Sequence, residues 1–254
     1  RSFQEIAGYQ RLDELNEKIE AFSSRVLKKD CLDLPDKIFV RRNVPLTDDQ
    51  KKHYGEMKKL ALTLFQDGML STTSSVLTQI MRLQQICCGF IKDDDETIRS
   101  ISSNRITELI DILVIIWASF VHDITAIRDA LSKEFGEKSV ITYYGQTPQE
   151  ERQQIVKNFQ EDETTRFFIG QPRTGGFGLT LTAASTVIYY SNSYDLEIRL
   201  QSEDRAHRIG QKKKVTYIDL ISPGTIDEKI INALRDKIDI AGQVLGESIE
   251  SWIV

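Results

Sequence analysis

The first part of the chain repeats apolar residues with the period of an α-helix. Spacings of three and four between them predict one amphipathic helical region with a buried apolar stripe. The members of that stripe are Leu12, Leu15, Ile19, Phe22 and Val26. The helix-breaking Leu34-Pro35-Asp36 follows, and the β-branched run 37–44 then predicts a strand. Beyond it we expect one helix that Thr47 caps at its N-terminus and another over residues 73–87.

After about residue 104 the pattern changes to short apolar runs that alternate with amphipathic helices. The runs are 114–118, 139–143, 166–169, 186–190 and 215–220. Near-continuous apolar strands that alternate with helices indicate an α/β fold with a parallel sheet covered on both faces. In such folds ligands meet the loops at the carboxyl ends of the strands. The acidic run 93–96 before this region is expected to be an exposed loop.

Two segments at the borders of this region need separate comment. Residues 226–254 are amphipathic and predict one or two closing helices. Residues 106–113 are helical in pattern and run directly into the strand predicted at 114, with no turn residue between them. Because a helix rarely becomes a buried strand without a connector, we expect a loop to be missing from the sequence between Leu113 and Val114.

Composition restricts the class of protein. With 254 residues and 40% apolar content the chain can bury a substantial core. A net charge of −5 argues against a uniformly basic nucleic-acid coat but leaves room for a local basic groove. The longest apolar stretch, 109–121, is shorter than the roughly 20 residues that a membrane span needs, so no membrane partner is expected. The chain lacks a secretory signal and begins without Met, and we expect it to be a fragment.

Cysteine and histidine usage gives no sign of a metal centre. The cysteines are Cys31 and the adjacent pair Cys87 and Cys88, which favours reduced intracellular thiols over a disulfide framework. The three histidines stand far apart and match no zinc-ligand spacing, so we expect no metal site in this chain.

A glycine-rich segment, residues 173–184, follows the strand predicted at 166–169. It begins Arg173-Thr174-Gly175-Gly176-Phe177-Gly178. Closely spaced glycines let the backbone approach a ligand, and N–H groups at a helix start can face a phosphate. Leu181 stands where a dinucleotide fingerprint would have its third glycine. The segment is therefore a phosphate or nucleic-acid contact, or an ordinary tight turn between strand and helix.

A second segment, residues 201–211, places arginines at helical spacing. On one helix Gln201, Arg205 and Arg208 would share a face, where two guanidinium groups suit a polyphosphate. The alternative is a solvated or salt-bridged helix face. The lysine run 212–214 either contacts phosphates or only solubilises a turn.

Together these two segments resemble the fifth and sixth motifs of the Snf-type ATPases, a branch of the superfamily-two helicases. The string Asp204-Arg205-Ala206-His207-Arg208-Ile209-Gly210-Gln211 is highly specific to that branch, and the resemblance covers almost the whole chain. It implies a RecA-like parallel sheet with helices on both faces, a helical N-terminal insertion and a C-terminal brace helix. The implied domains are a lead-in with one strand at 1–103, the second motor lobe at 104–223 and the brace at 224–254.

The resemblance also implies roles for individual residues. Arg205 and Arg208 match the arginine fingers that reach the phosphates of ATP, and Gln201 matches the polar residue that orders that surface. The residues expected to couple the nucleotide cleft to the DNA track are Gly175, Gly176 and Asp204. The residues expected to contact DNA are Arg173, Thr174, Thr147 and, by stacking on a base, Tyr194.

Two departures from the family pattern limit these expectations. Tyr194-Asp195-Leu196 replaces a Trp-Asn-Pro of many eukaryotic remodellers, which favours bacterial or phage relatives. The sequence also contains no phosphate loop and no Asp-Glu pair that ends a buried strand. ATP and Mg²⁺ are therefore expected to bind mainly to an absent first lobe, and the fragment alone should not hydrolyse ATP.

The sequence thus predicts the C-terminal half of an ATP-dependent DNA translocase or helicase-like motor. Its expected partners are double-stranded DNA, contacted through the backbone with little sequence specificity, and the upstream RecA-like lobe of the same protein. The implied location is the cytoplasm for a bacterial or phage protein and the nucleus for a eukaryotic one. The alternative is a non-catalytic module that binds nucleic acid or protein and retains only the fold of a motor.

Overall fold

The computed structural model describes residues 11–20, 22–23, 31–66, 73–93, 95–108, 114–175 and 178–244. Its centre is a six-stranded, all-parallel sheet with the strand order β1-β8-β7-β4-β6-β5. The sheet strands are β1 Lys37–Asn43, β4 Val114–Trp117, β5 Val140–Tyr143, β6 Phe167–Gly170, β7 Thr186–Tyr189 and β8 Val215–Ile221. The predicted α/β class and parallel sheet are confirmed.

The helices fill the intervals between these strands. They are α1 Leu12–Glu20, α2 Asp48–Gln66, α3 Thr73–Cys88, α4 Val121–Phe135, α5 Arg152–Glu161, α6 Pro172–Gly175, α7 Leu196–Glu203 and α8 Ile226–Val244. Two short 3₁₀ turns are Ile106–Glu108 and Glu137–Ser139. Residues 109–113 lie outside the described part of the chain, and so does the loop expected between Leu113 and Val114.

Each face of the sheet is covered by its own layer of side chains. Because side chains alternate along a strand, Val114 and Ile116 face α4, whereas Ile115 and Trp117 join the opposite layer with Phe159 of α5. All five residues are at most 1% exposed. A third cluster forms where α8 packs against α3 and the end of β8. The predicted covering of both faces is therefore observed.

Strand β1 belongs to this sheet, although it lies within the segment 1–103 that the sequence assigns to the lead-in. It pairs in parallel with β8, in a register that starts at Lys37 opposite Val215 and ends at Asn43 opposite Ile221. Phe39 stacks on Tyr217 of β8, with ring centroids 5.1 Å apart. The N-terminal part of the chain thus supplies one edge of the motor-like sheet.

Helix α2 begins as its sequence predicts. The Gln50 backbone N–H donates to Thr47 Oγ1 at 3.2 Å, and the Thr47 N–H donates to Gln50 Oε1 at 3.0 Å. This reciprocal pair satisfies two backbone donors at the helix start. Gln50 Nε2 also donates to the carbonyl oxygens of Ile86 and Cys87, so the capping residue holds α2 against the end of α3.

Two details differ from the sequence-based picture. The stripe of α1 is not buried throughout, because Leu15 is 42% exposed and Phe22, just beyond the helix, is 81% exposed. Val26 lies outside the described residues. The acidic turn after residue 92 connects an antiparallel hairpin, β2 Phe90–Lys92 and β3 Ile98–Ser100, that the pattern did not indicate. Within the described ranges, no helix is long and apolar enough to cross a membrane.

Candidate nucleotide and DNA interface

The segment of the two arginines is a series of turns and not the predicted continuous helix. Helix α7 ends at Glu203, and Asp204 is its C-cap. The N–H groups of Arg205 and Ala206 donate to carbonyl groups only three residues earlier, at 3.3 and 3.2 Å, which tightens the chain out of α-helical geometry. Gly210, with φ of +101°, completes the turn. The predicted common helix face for Gln201, Arg205 and Arg208 is therefore wrong.

The turns instead fix both arginines against the segment that follows the glycines. Arg208 Nη1 donates to the Leu179 carbonyl oxygen at 2.9 Å, and the Arg205 carbonyl oxygen accepts from the Leu181 N–H at 2.9 Å. Burial lowers the pKa of Arg205, the positive charge of Arg208 lowers it further, and Asp204 opposes the change. Arginine nevertheless stays charged at neutral pH. The positive charges of Arg205 and Arg208 are thus close enough to interact. Because they repel each other, an anion bound between them would be favourable.

Gln211 locks this turn, a role that the sequence gave no reason to assign. Its Nε2 group lies within hydrogen-bond distance of the carbonyl oxygens of Thr182, Ala184 and Ala206, at 2.9 to 3.2 Å. Its Oε1 accepts from the backbone N–H groups at 212 and 213. A side chain that is 6% exposed thereby joins the arginine turn to the segment before β7.

The remaining residues predicted on this surface have local partners. Gln201 Nε2 donates to Glu197 Oε1 at 2.9 Å on the exposed side of α7. Asp204 Oδ1 lies 4.0 Å from Lys37 Nζ. Asp204, which the sequence predicts to couple the nucleotide cleft to the DNA track, therefore faces the first strand of the sheet. His207 Nε2 is 2.7 Å from the Pro35 carbonyl oxygen.

Helix α7 carries the arginine turn and is itself anchored by a buried ion cluster. The Asp195 side chain caps the helix by accepting from the Ile198 N–H at 3.2 Å. Arg199, 7% exposed, contacts Glu203 at 2.8 Å and Asp219 at 2.5 Å. Its guanidinium also lies 3.5 Å from the ring centroid of Tyr189. Burial alone would lower the pKa of Arg199, but its interactions with Asp219, Tyr189 and Glu203 together outweigh burial and raise that pKa.

The glycine-rich segment begins with one helical turn, α6. Arg173 is exposed there, and the Thr174 N–H donates to the Gln171 carbonyl oxygen at 3.0 Å. Gly175 is the last residue of α6, whereas Gly176 lies outside the described residues. Gly178 has φ of +73°, a conformation that glycine adopts without strain. The segment thus begins with a short helical turn on which Arg173 is exposed, and residues 176 and 177 lie outside the described part of the chain.

Thr147 and Tyr194 have structural contacts that the sequence did not indicate. Thr147 is 8% exposed, and its Oγ1 accepts from the Tyr144 N–H at 3.0 Å. Tyr194 packs against the C-terminal cluster to which Ile226 and Ile230 belong, and burial, with a smaller contribution from Asp227, raises its pKa. Lys237 Nζ donates to the Tyr194 carbonyl oxygen at 2.5 Å. Their contacts with DNA stay predictions.

The predicted residues form two groups at different ends of the sheet. Arg205 and Arg208 lie shortly before β8, on the side of the strand starts. Arg173 and Thr174 follow the end of β6, and Thr147 follows the end of β5. Residues 178–184 come after Arg173 and Thr174 in the sequence and contact the arginine turn through Leu179 and Leu181. This stretch of backbone therefore links the two groups. Among the described residues, no group of three or more His, Cys, Asp or Glu side chains could hold a metal ion.

The family described as "Helicase conserved C-terminal domain" matches residues 102–210, the range that contains both groups. This part of the chain is similar to the C-terminal domain of helicases. The match includes four of the six sheet strands, β4 to β7, together with the glycine-rich segment and the arginine turn.

Relatives along nearly the whole chain come from bacteria and eukaryotes. The "Putative ATP-dependent helicase/translocase YwqA" of Bacillus subtilis is 29% identical over 96% of this chain and 28% of its own length. The "SWI/SNF chromatin-remodeling complex subunit snf22" of Schizosaccharomyces pombe is 30% identical over 91% of this chain and 15% of its own length. The chain therefore spans less than a third of these relatives.

Solved structures of the same type share the fold. The C-terminal part of the Fun30 ATPase domain matches with a TM-score of 0.66 at 21% identity, over 80% of this chain and 90% of that one. The Sulfolobus solfataricus SWI2/SNF2 ATPase core in complex with dsDNA matches with a TM-score of 0.61 at 28% identity, over 94% of this chain and 55% of that one. The fold of this chain therefore matches that of the RecA-like C-terminal lobes of SNF2 ATPases.

Proposed function

We propose that the chain is the C-terminal half of an ATP-dependent DNA translocase or helicase-like motor. The observation that supports this most is the arginine turn, because Arg205 and Arg208 are fixed through residues 179–181 to the same segment that begins at Arg173. A phosphate-facing surface and a DNA-facing surface thereby belong to one stretch of backbone. Such a connection suits a protein that converts ATP hydrolysis into movement along DNA.

ATP would meet this lobe at the arginine turn. Two guanidinium groups on one short turn fit the negative charge of a polyphosphate; burial lowers the pKa of Arg205, and the nearby charge of Arg208 lowers it further. When bound, ATP with Mg²⁺ supplies the phosphoryl group whose transfer to water releases energy. Arg205 and Arg208 would stabilise charge on that group, and Gln211 would keep their turn in place. The sequence has no phosphate loop, so we propose that an upstream lobe holds ATP and Mg²⁺ and that this chain alone is inactive.

DNA would lie along the carboxyl ends of the strands. Arg173 is exposed there, and Thr174 neighbours it, which suits contacts with the phosphate backbone and little sequence specificity. The complex of the Sulfolobus core with dsDNA supports double-stranded DNA as the partner. We keep Thr147 and Tyr194 as further DNA contacts, and Gly175, Gly176 and Asp204 as the coupling residues of this proposal.

The wider assignments follow from the same proposal. The segments 1–103, 104–223 and 224–254 would act as lead-in, second motor lobe and brace. Tyr194-Asp195-Leu196 supports a bacterial or phage type of motor, for which the location would be the cytoplasm. A eukaryotic protein of this type would be nuclear.

The test is DNA-stimulated ATP hydrolysis by the protein that contains both lobes. Arg208→Ala should lower the stimulated rate by roughly 10³-fold or more, the range typical of arginine fingers. Arg128→Ala is the matched control, because Arg128 is an exposed arginine on α4 that pairs with its neighbour Asp129. Its rate should stay close to that of the wild type.

Two results would contradict the proposal in different ways. Equal rates for the wild type and Arg208→Ala would favour the non-catalytic binding module. DNA binding that is insensitive to salt would argue against backbone contacts, since phosphate neutralisation releases counterions.

A further inference from the structure

A chain of hydrogen bonds crosses the carboxyl edge of the sheet beneath the proposed DNA surface. It joins the ends of four neighbouring strands, in the order β7, β4, β6 and β5. The Ser119 N–H, just after β4, donates to Ser191 Oγ at 2.8 Å, just after β7. The Ser119 carbonyl oxygen accepts from Gln171 Nε2 at 3.0 Å. The Gln171 N–H then donates to the Tyr143 carbonyl oxygen at 3.0 Å, at the end of β5.

Gln171 is the one member of this chain of bonds that also contacts the start of the glycine-rich segment through its side chain. Its Oε1 accepts from Thr174 Oγ1 at 3.3 Å, while its Nε2 donates to Ser119. The acceptor at Ser119 is a carbonyl group, so the amide orientation of Gln171 is fixed by its partners. One amide thus joins the end of β4 to the turn that presents Arg173.

We propose that Gln171 is a positioning residue that sets the affinity for DNA by holding the Arg173–Thr174 turn against the end of β4. The inference rests on the proposed function and adds a residue that acts through Thr174 without contacting DNA. A turn of four helical residues has little stability of its own, because short helices cost more to nucleate than they gain. Its geometry therefore depends on anchors such as this amide.

The test measures binding of this 254-residue chain to a fluorescently labelled DNA duplex by anisotropy at low salt. Gln171→Leu should weaken binding about 5-fold, since the turn loses its anchor and Arg173 loses a fixed position. Gln154→Leu is the control, because Gln154 is an exposed glutamine whose side chain donates only to Asn158 on α5. It should bind DNA like the wild type.

A double-mutant cycle separates positioning from direct contact. If Gln171 acts through Thr174, the variant Gln171→Leu/Thr174→Val should bind about as weakly as Thr174→Val alone. Effects that multiply would overturn the inference, because they would mean that Gln171 acts on DNA independently of Thr174.

A second variant changes Ser191, a residue at the other end of the same hydrogen bonds that DNA cannot reach. Ser191 is 1% exposed and its Oγ accepts from the Ser119 N–H, so we expect Ser191→Ala to weaken DNA binding roughly 2-fold through Ser119 and Gln171. This variant keeps the inference testable if Gln171→Leu does not fold, as thermal melting would reveal. If Ser191→Ala and Gln171→Leu both bind DNA with the affinity of the wild type, the inference is overturned but the proposed function is not. If the wild type itself shows no salt-sensitive binding to DNA, the proposed function is overturned as well.

Discussion

Asp123 is a carboxyl group buried at the start of α4, where it is 2% exposed. Burial raises the pKa of Asp123 to about 8, although Arg105 and hydrogen bonds from Cys88 and Ser191 act in the opposite direction. Asp227, another acidic group near it, raises the pKa slightly more. The folded protein therefore keeps a proton on Asp123 at pH values at which the unfolded chain has lost it.

This difference gives the stability a pH dependence of definite sign. Between the unfolded pKa of 3.8 and the folded value of about 8, the native state binds more protons, so the free energy of unfolding falls as pH rises through that window. Asp123→Asn should remove this contribution, which is on the order of a few kcal/mol. Urea unfolding at pH 5 and pH 8 measures it, with the exposed Asp129→Asn as control. Parallel pH profiles for the wild type and Asp123→Asn would contradict the prediction.

Residue types were easier to predict from the sequence than their contacts. The motif strings identified Arg205, Arg208 and Arg173 as candidates because a guanidinium group suits phosphate wherever the fold places it. Gln171 and Gln211 gave no such signal. Their partners lie on strands and loops distant in sequence, and a single glutamine in a polar stretch is ordinary until the sheet brings those carbonyl groups together.

At the scale of elements, α7 illustrates where periodicity stops being informative. Spacings of four and three extended the predicted helix to Arg208, but the helix ends at Glu203. Glu203 and Arg199 are drawn into the buried ion cluster, and the Tyr217 hydroxyl donates to the Glu203 carbonyl oxygen at 2.8 Å. The same carbonyl oxygen also accepts from the N–H groups of Ala206 and His207, at 3.2 Å each, so the end of the helix is bound both by the sheet and by the turns that follow. The strands β4 to β8, by contrast, were predicted closely because they are apolar runs enclosed by two covered faces.

Loss of Arg199 should destabilise the lobe strongly. Arg199→Met leaves the buried carboxylates of Glu203 and Asp219 without their shared cation, which typically costs about 3–5 kcal/mol. The loss would appear as a lower free energy of unfolding in urea. Arg128→Met, which removes an arginine whose pair with Asp129 is exposed, should change that free energy by less than about 1 kcal/mol. Similar losses for the two variants would contradict this account of α7.

At the scale of the whole molecule, β1 completes a sheet that would otherwise end at β8. It is an edge strand whose residues include Lys37, Arg41 and Arg42, and charged residues on an edge discourage pairing with another chain. Beneath it, β8 is largely buried, with Val215, Tyr217 and Leu220 at most 2% exposed. The match to the helicase domain starts at residue 102 and does not include β1.

Removal of β1 should therefore cause self-association. A chain without residues 1–44 would present the backbone of β8 as an open, apolar edge, and we expect dimers or larger species in size-exclusion chromatography with light scattering. A shorter deletion of residues 1–30 keeps β1 and serves as the control. If both truncated chains behave alike as monomers, β1 is not needed to protect the edge.

The pairing of β1 with β8 also has a consequence for synthesis. Lys37 is opposite Val215 in the register, so the two partners are about 180 residues apart in the chain. At roughly 5–20 residues per second, a ribosome takes about 10 to 40 seconds to proceed from one to the other. During that interval the nascent β1 has no strand beside it in its own sheet, so its apolar side chains Ile38, Phe39 and Val40 stay uncovered until β8 emerges.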